Sequence, residues 1–148
     1  MTVKAVLSHK GTAVITIAPT ARLCDVIKIL DEHQIGAVVI TDADQQIVGI
    51  LSERDIVRTL AHNARTIGGC QLCDQPVEQV MTREVETCTQ ADRIHEIMQR
   101  MTERKFRHLP VVEHGRLVGI ISIGDIVKHR IREMEVESEA LHQYILVA

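Results

Sequence analysis

The chain has 148 residues, 45% hydrophobic and 25% charged, with a formal net charge of −3 and a mean hydropathy of +0.06. This describes one or two small globular domains with enough chain to bury a core. It excludes the basic excess of a nucleic-acid surface and any apolar run near the ~20 residues of a membrane span.

Val3, Val6 and Leu7 predict a short amphipathic helical lead-in stopped by Gly11. Thr12 to Ile17 alternates and is rich in β-branched residues, which predicts a strand. Pro19-Thr20 opens a helix with Leu23, Val26, Ile27 and Leu30 as its apolar stripe, and Gly36 is expected to end it. Ala37 to Ile40 is a short strand, Thr41 to Gln45 has turn chemistry, and Ile47 to Leu51 is a further strand. The helix after Ser52 carries Ile56, Val57, Leu60 and Ala61 and fades towards Asn63.

Arg65 to Val77, with Gly68-Gly69 and Pro76, reads as a linker, after which the pattern returns. Val85-Glu86-Thr87 is the counterpart of the first strand. Ile94, Ile97, Met98 and Met101 repeat the helical stripe in phase, and Leu109 to Val112 with Leu117 to Ile121 repeat the strand pair. Gly49-Ile-Leu-Ser-Glu-Arg-Asp-Ile-Val57 and Gly119-Ile-Ile-Ser-Ile-Gly-Asp-Ile-Val127 are near-copies. The His114-Gly115 turn is one residue shorter than its partner, and a hairpin turn is where a duplicated unit absorbs such a change.

The expected fold class is therefore α+β: two tandem β-α-β-β-α repeats with pseudo-two-fold symmetry, a short N-terminal helix and an extended C-terminal one. The expected domains are a first repeat with its lead-in (1–64), a linker (65–79), a second repeat (80–132) and a C-terminal helical extension (133–148). Along that last helix Val127, Ile131, Met134, Leu141 and Ile145 step by four and three, with Ser138 in the remaining slot. Two readings stand: a helix lying back across its own domain, or an a/d seam for a dimer.

Ser52-x-x-Asp55 and Ser122-x-x-Asp125 also admit two readings. Each is close to a capping box, in which serine caps the helix and the acid reaches back, worth roughly 1 kcal/mol. Each also lies where a strand feeds a helix N-terminus, whose amides and dipole suit phosphate, with a carboxylate placed for ribose hydroxyls. Phe106 and Tyr144 are the only aromatic rings besides the histidines, so a purine here would be gripped by aliphatic side chains, and single-stranded nucleic acid lacks its stacking platforms.

The duplicated unit ending in Gly-h-h-Ser-x-x-Asp resembles a pair of cystathionine β-synthase (CBS) domains, as do Phe106-Arg-His-Leu-Pro-Val-Val112 and Val80-Met81-Thr82. The resemblance covers about residues 5 to 132, and the whole is similar to short stand-alone bacterial CBS-pair proteins. It implies regulatory binding of an adenine compound (AMP, ADP or ATP, in some members NAD or S-adenosylmethionine) between the repeats. It also implies a homodimer that alters contacts with a further protein. By the same resemblance Asp55 and Asp125 are ribose acids, and Ser52, Ser122, Arg107 and His108 face phosphate. Val14, Thr16, Val85, Thr87, Leu109 and Pro110 border the base. The first copy has Gly36, Ala37 and Val39 where the second has Arg, His and Pro; Arg54 is the candidate replacement cation, and the two sites are expected to be unequal.

No P-loop, Ser-His-Asp ordering or zinc helix is present, so neither catalysis nor a metal is expected. The N-terminus lacks a signal peptide's apolar core, which makes the expected location cytoplasmic. Cys24, Cys70, Cys73 and Cys88 are then expected as thiols. Cys70-x-x-Cys73 is a lone pair in the linker, a weak signal for a metal or thiol sensor.

Overall fold

The computed structural model describes residues 1–63 and 69–147. Five helices and five strands follow in the order α1 Val3–Lys10, β1 Thr16–Ile17, α2 Leu23–His33, β2 Ala37–Thr41, β3 Ile47–Ser52, α3 Glu53–Asn63, α4 Ile94–Arg104, β4 His108–Glu113, β5 Arg116–Ser122 and α5 Ile123–Val147. Between α3 and α4 lie two 3-10 segments, Gly69–Asp74 and Val77–Gln79. The expected linker falls partly outside the described residues, as does the Cys70 side chain.

β1 pairs parallel with β2, and β2 antiparallel with β3, in one three-stranded sheet; β4 and β5 form a second, antiparallel sheet. Val38 and Ile40 point from β2 into a core with Leu23, Val26, Leu30 and Leu51. Ala37, Val39 and Thr41, on the opposite face of β2, are buried too, so this strand is covered on both sides. Leu109, Val111 and Ile121 build the equivalent core with Ile94, Ile97 and Met101.

The expected first strand is the least regular element. Of Thr12 to Ile17 only Thr16–Ile17 is a strand, and Val85 to Thr87 forms none. The second repeat keeps a single parallel bridge, Cys88 with Val111. An edge segment bonded along one side has little to hold it extended beyond the few residues that reach a partner. The helix expected to open at Pro19-Thr20 begins at Leu23. Nor does Gly36 stop it: Gln34 takes the left-handed conformation (φ 52°), as Lys105 does after α4 (φ 58°). Gln34 offsets the strain locally, its side-chain amide donating to the Asp31 carbonyl at 2.7 Å.

The two hairpins differ as their lengths require. His114 and Gly115 both have positive φ, the two-residue turn that matches strand twist. The longer first turn is held by Asp42, whose Oδ1 accepts from the amides of Asp44 and Gln46 at 2.9 Å each.

The helical stripes are narrower than their apolar patterns. Ile27 and Met98 occupy equivalent positions and are both more than a third exposed, as are Val57, Leu60, Val127 and Ile131. Beyond Arg132, α5 buries nothing: Met134, Leu141, Tyr144 and Ile145 are all exposed. The extension does not lie back across its own domain.

One arrangement crosses the repeats. α1, first in the chain, puts Val3, Val6 and Leu7 into the second repeat's core, while Val77 and Met81, which lead into α4, enter the first repeat's core. The docking bonds match in pairs. Val3 N–H donates to Asp92 O at 2.9 Å and Ile94 N–H to Met1 O at 3.1 Å. In the other half Val77 N–H donates to Ala21 O at 2.8 Å and Leu23 N–H to Gln75 O at 2.9 Å. Each repeat is thus completed by the segment that precedes the other.

Candidate functional site

Both Ser-x-x-Asp sequences form closed capping boxes. In the first, Ser52 donates from its amide (3.0 Å) and its hydroxyl (3.1 Å) to Asp55 Oδ2, and Asp55 N–H returns to Ser52 Oγ at 3.3 Å. In the second the corresponding distances are 2.8, 2.8 and 3.1 Å. The glycine of each phrase lies inside a strand, β3 or β5, where the exchanged lead-in packs. A Cβ on Gly119 would come within 3.0 Å of Leu7 Cδ2, and one on Gly49 would overlap Met81. These glycines permit close packing between segments.

The acids differ in their remaining contacts. Asp55 Oδ1 accepts from the Thr82 hydroxyl at 3.2 Å. Asp125 Oδ2 also binds Lys10 Nζ at 2.5 Å, and that ammonium donates to Ile120 O at 2.6 Å. Among the described residues no donor engages Asp125 Oδ1. Desolvation pushes the Asp125 carboxyl up, but the Lys10 bond and the two Ser122 donors outweigh it, leaving the acid below the usual range.

A cleft of about 680 Å³ opens between the repeats. One wall is aliphatic, from Ile27 and Leu30 on α2 and Ile56 and Leu60 on α3. The other is polar: Arg107 and His108 at the entry to β4, then Ser122, Ile123 and Gly124 where β5 turns into α5. Asp31 and Glu53 complete the rim. The cleft therefore sets an apolar slot against the N-terminus of a 25-residue helix, and its size is that of small-molecule sites.

His108 rests on Gly36, where a Cβ would lie 2.9 Å from its Nε2. The glycine that costs the first repeat its own basic pair is what admits the second repeat's imidazole. Burial lowers the His108 pKa and nearby Lys10 lowers it further, against the opposing pull of Glu53 and Asp125, so the ring is neutral at neutral pH.

The cleft thus gathers Arg107, His108 and Ser122 from the expected set. Arg54 turns elsewhere, donating to Lys105 O at 2.9 Å across the repeats. That ties its guanidinium to the C-terminus of α4. Leu109 is fully buried in the second core, and Pro110, also buried, accepts from Cys88 N–H at 3.0 Å. Val14 and Val85 are half-buried and Thr16 and Thr87 exposed, none of them on this cleft. Lys10 and Glu53 are new. Lys10 had a readable signal: Val3-x-x-Val6-Leu7-Ser8 matches Val77-x-x-Val80-Met81-Thr82, an alignment that would have carried α1 into the repeat.

Two exchanged lead-ins, a β-α-β-β-α unit, an α-β-β-α unit and a cleft between them define a tandem-repeat fold. The CBS domain family model matches residues 3–62 and 77–132, and the chain belongs to this family. It is 42% identical to a CBS-domain containing protein from Agrobacterium tumefaciens, with a TM-score of 0.81 over 88% of this chain and 99% of that one. A CBS domain protein from Pyrobaculum aerophilum complexed with AMP is 26% identical, with a TM-score of 0.74 over 93% of this chain and 99% of that one. A CBS domain pair in complex with 5′-methylthioadenosine and S-adenosyl-L-methionine is 27% identical, with a TM-score of 0.76 over 90% and 98%.

Among curated proteins, the chain is 34% identical to a 17.7 kDa protein of Acidianus ambivalens and 31% identical to a mitochondrial CBS domain-containing protein of Arabidopsis thaliana. The alignments cover 79% and 82% of this chain but 67% and 58% of theirs. No helix among the described residues is long and apolar enough to cross a membrane.

Proposed function

We propose that the chain is a regulatory module that binds an adenine-containing ligand between its two CBS repeats and performs no covalent chemistry. The observation that carries this is the cleft itself, an aliphatic slot facing the first turn of α5, with Arg107, His108 and Ser122 at its polar end. The neighbours solved with AMP and with 5′-methylthioadenosine and S-adenosyl-L-methionine support the ligand class. Ribose is assigned to Asp125, whose Oδ1 stays available while Oδ2 keeps the helix capped.

Charge narrows the ligand. Asp31 and Glu53 share the rim with Arg107, and Lys10 is already paired with Asp125. A single phosphate is matched there, whereas a triphosphate brings surplus negative charge to two carboxylates. AMP is therefore favoured over ATP, ADP and NAD. Binding acts by population shift: the ligand stabilises one arrangement of the repeats by no more than its differential affinity for it.

The test is thermal unfolding with AMP, ATP, NAD and S-adenosylmethionine in turn. At 100 times its dissociation constant a ligand adds about 2.7 kcal/mol, several degrees at this chain length, and AMP is expected to give the largest shift. A second reading draws on the closed capping boxes: a scaffold whose repeats bind nothing. It predicts no shift with any of the four.

We further assign the exposed seam along α5, Val127, Ile131, Met134, Leu141 and Ile145, to a second copy of the chain. A two-fold contact sets the same helix face of one copy against that of the other, and this face repeats at steps of four and three along α5. Ile131→Asp is expected to shift the sedimenting species from dimer to monomer; an unchanged dimer would remove this face from the interface.

A further inference from the structure

The Cys70-x-x-Cys73 spacing leaves a second pairing for Cys73, across the fold. Cys73, on the 3-10 segment Gly69–Asp74, is exposed, and its fold partner is Cys24 on the first turn of α2. The two sulfurs are near enough that Cys73 is the leading influence on the Cys24 thiol, whose pKa it raises. The backbones around them are docked independently of the thiols. Leu23 N–H donates to Gln75 O at 2.9 Å, Arg22 and Pro76 form a β-bridge, Arg22 faces Asp74 at 3.6 Å, and Leu72 is buried in the first core. The two cysteines are therefore held as neighbours by contacts on either side of each.

We propose that Cys24 and Cys73 form a reversible disulfide that staples the inter-repeat linker to α2. The oxidant class is a peroxide. The Cys73 thiolate attacks hydrogen peroxide, breaking the O–O bond and leaving a sulfenic acid and hydroxide. The Cys24 sulfur then attacks the sulfenic sulfur, and its proton leaves with the departing hydroxyl as water. Two thiols and one peroxide give one disulfide and two waters, with two electrons passing from sulfur to oxygen. The exposed Cys73 meets the oxidant first. Half-buried Cys24 keeps its proton while Cys73 is a thiolate, its pKa raised by Cys73, by burial and by the charge of Asp74. Once Cys73 is a neutral sulfenic acid the thiolate charge is gone, and Cys24 is released to act as the resolving nucleophile. Cys88 stays out, being buried in the second core with its thiol pushed up to about 12 by desolvation and by Asp92.

The staple closes a ring containing α2, β2, β3 and α3, the body of the first repeat. It also fixes the segment that runs on through Val77 and Met81 to Thr82, the residue that binds Asp55. Oxidation thereby holds the linker that supports the first repeat's acid, whether or not a nucleotide binds.

The test oxidises the reduced full chain with hydrogen peroxide and maps the products by peptide mass spectrometry, beside Cys24→Ser, Cys73→Ser and Cys70→Ser variants. The expected result is a Cys24–Cys73 cross-linked peptide in the parent and in Cys70→Ser, absent from the other two. The oxidised parent should melt at a higher temperature, reversed by a thiol reductant. A Cys70–Cys73 bridge as the main product, cross-linking only between chains, or oxidation of Cys73 that stops at sulfinic acid would each overturn the proposal.

Discussion

Leu7→Ala is expected to destabilise the protein by about 2–5 kcal/mol, although Leu7 lies in the first ten residues of the chain, where truncation is often harmless. Its side chain is 3% exposed and seated against Gly119 in the second repeat's core. Truncation leaves a cavity that the surrounding Val111 and Ile121, both fully buried, cannot collapse to fill. At this chain length the loss corresponds to several degrees of melting temperature per few kcal/mol. Met81→Ala is expected to do the same to the first repeat. Leu60→Ala, at a half-exposed position, should stay within about 0.5 kcal/mol of the parent. Urea titration of the three variants reads this directly. A Leu7→Ala midpoint no lower than that of Leu60→Ala would mean that the exchanged lead-in contributes nothing to the core.

Asp125→Ala is expected to weaken AMP binding at least tenfold, about 1.4 kcal/mol, while Asp55→Ala changes it by less than about threefold. The two substitutions control for each other. Both remove a carboxylate from a closed capping box, so both lose roughly 1 kcal/mol of folding stability. They differ at the second oxygen, since Thr82 occupies Asp55 Oδ1 and no donor among the described residues engages Asp125 Oδ1. Calorimetric titration measures the affinities, and equal losses would sink the assignment of ribose to Asp125. The same titration, repeated in buffers of different ionisation enthalpy, should show proton uptake near pH 7. Burial holds His108 neutral in the unliganded chain, and a bound phosphate raises its pKa, so binding draws a proton onto the ring. The sign follows for stability as well. A histidine lowered on folding makes the folded state bind fewer protons, so its contribution is complete above the unfolded value and falls away as the solution is acidified through that value.

The duplication was legible because hydrophobic periodicity is a local property. The stripe at Leu23, Val26 and Leu30 recurs at Ile94, Ile97 and Met101, and all six are buried. The Ser-x-x-Asp boxes were legible for the same reason, since a serine and an acid three residues on close a bond within one helical turn. The first strand was over-read at Thr12 to Ile17 and again at Val85 to Thr87. β-branched residues favour an extended chain, but a strand needs a neighbour along its length, and propensity carries no information about how far that neighbour extends.

The site was legible only in part. Arg107, His108 and Ser122 do share a cleft, but Arg54, chosen by adjacency to Asp55, is spent on the Lys105 carbonyl. Leu109 is turned into the core by the two-residue alternation of β4. Lys10 reaches Asp125 from the far end of the sequence, and Cys24 reaches Cys73 across the whole first repeat.

From its residue order alone the chain settles the number of repeats, their phase, and the caps that start the closing helices, because each depends on neighbours within a few positions. Which lead-in completes which core, which acid keeps a spare oxygen, and which cysteines meet depend on contacts between segments tens of residues apart. Those contacts exist only once two half-finished cores exchange their opening segments, an arrangement favoured because each core is left open without the other's chain.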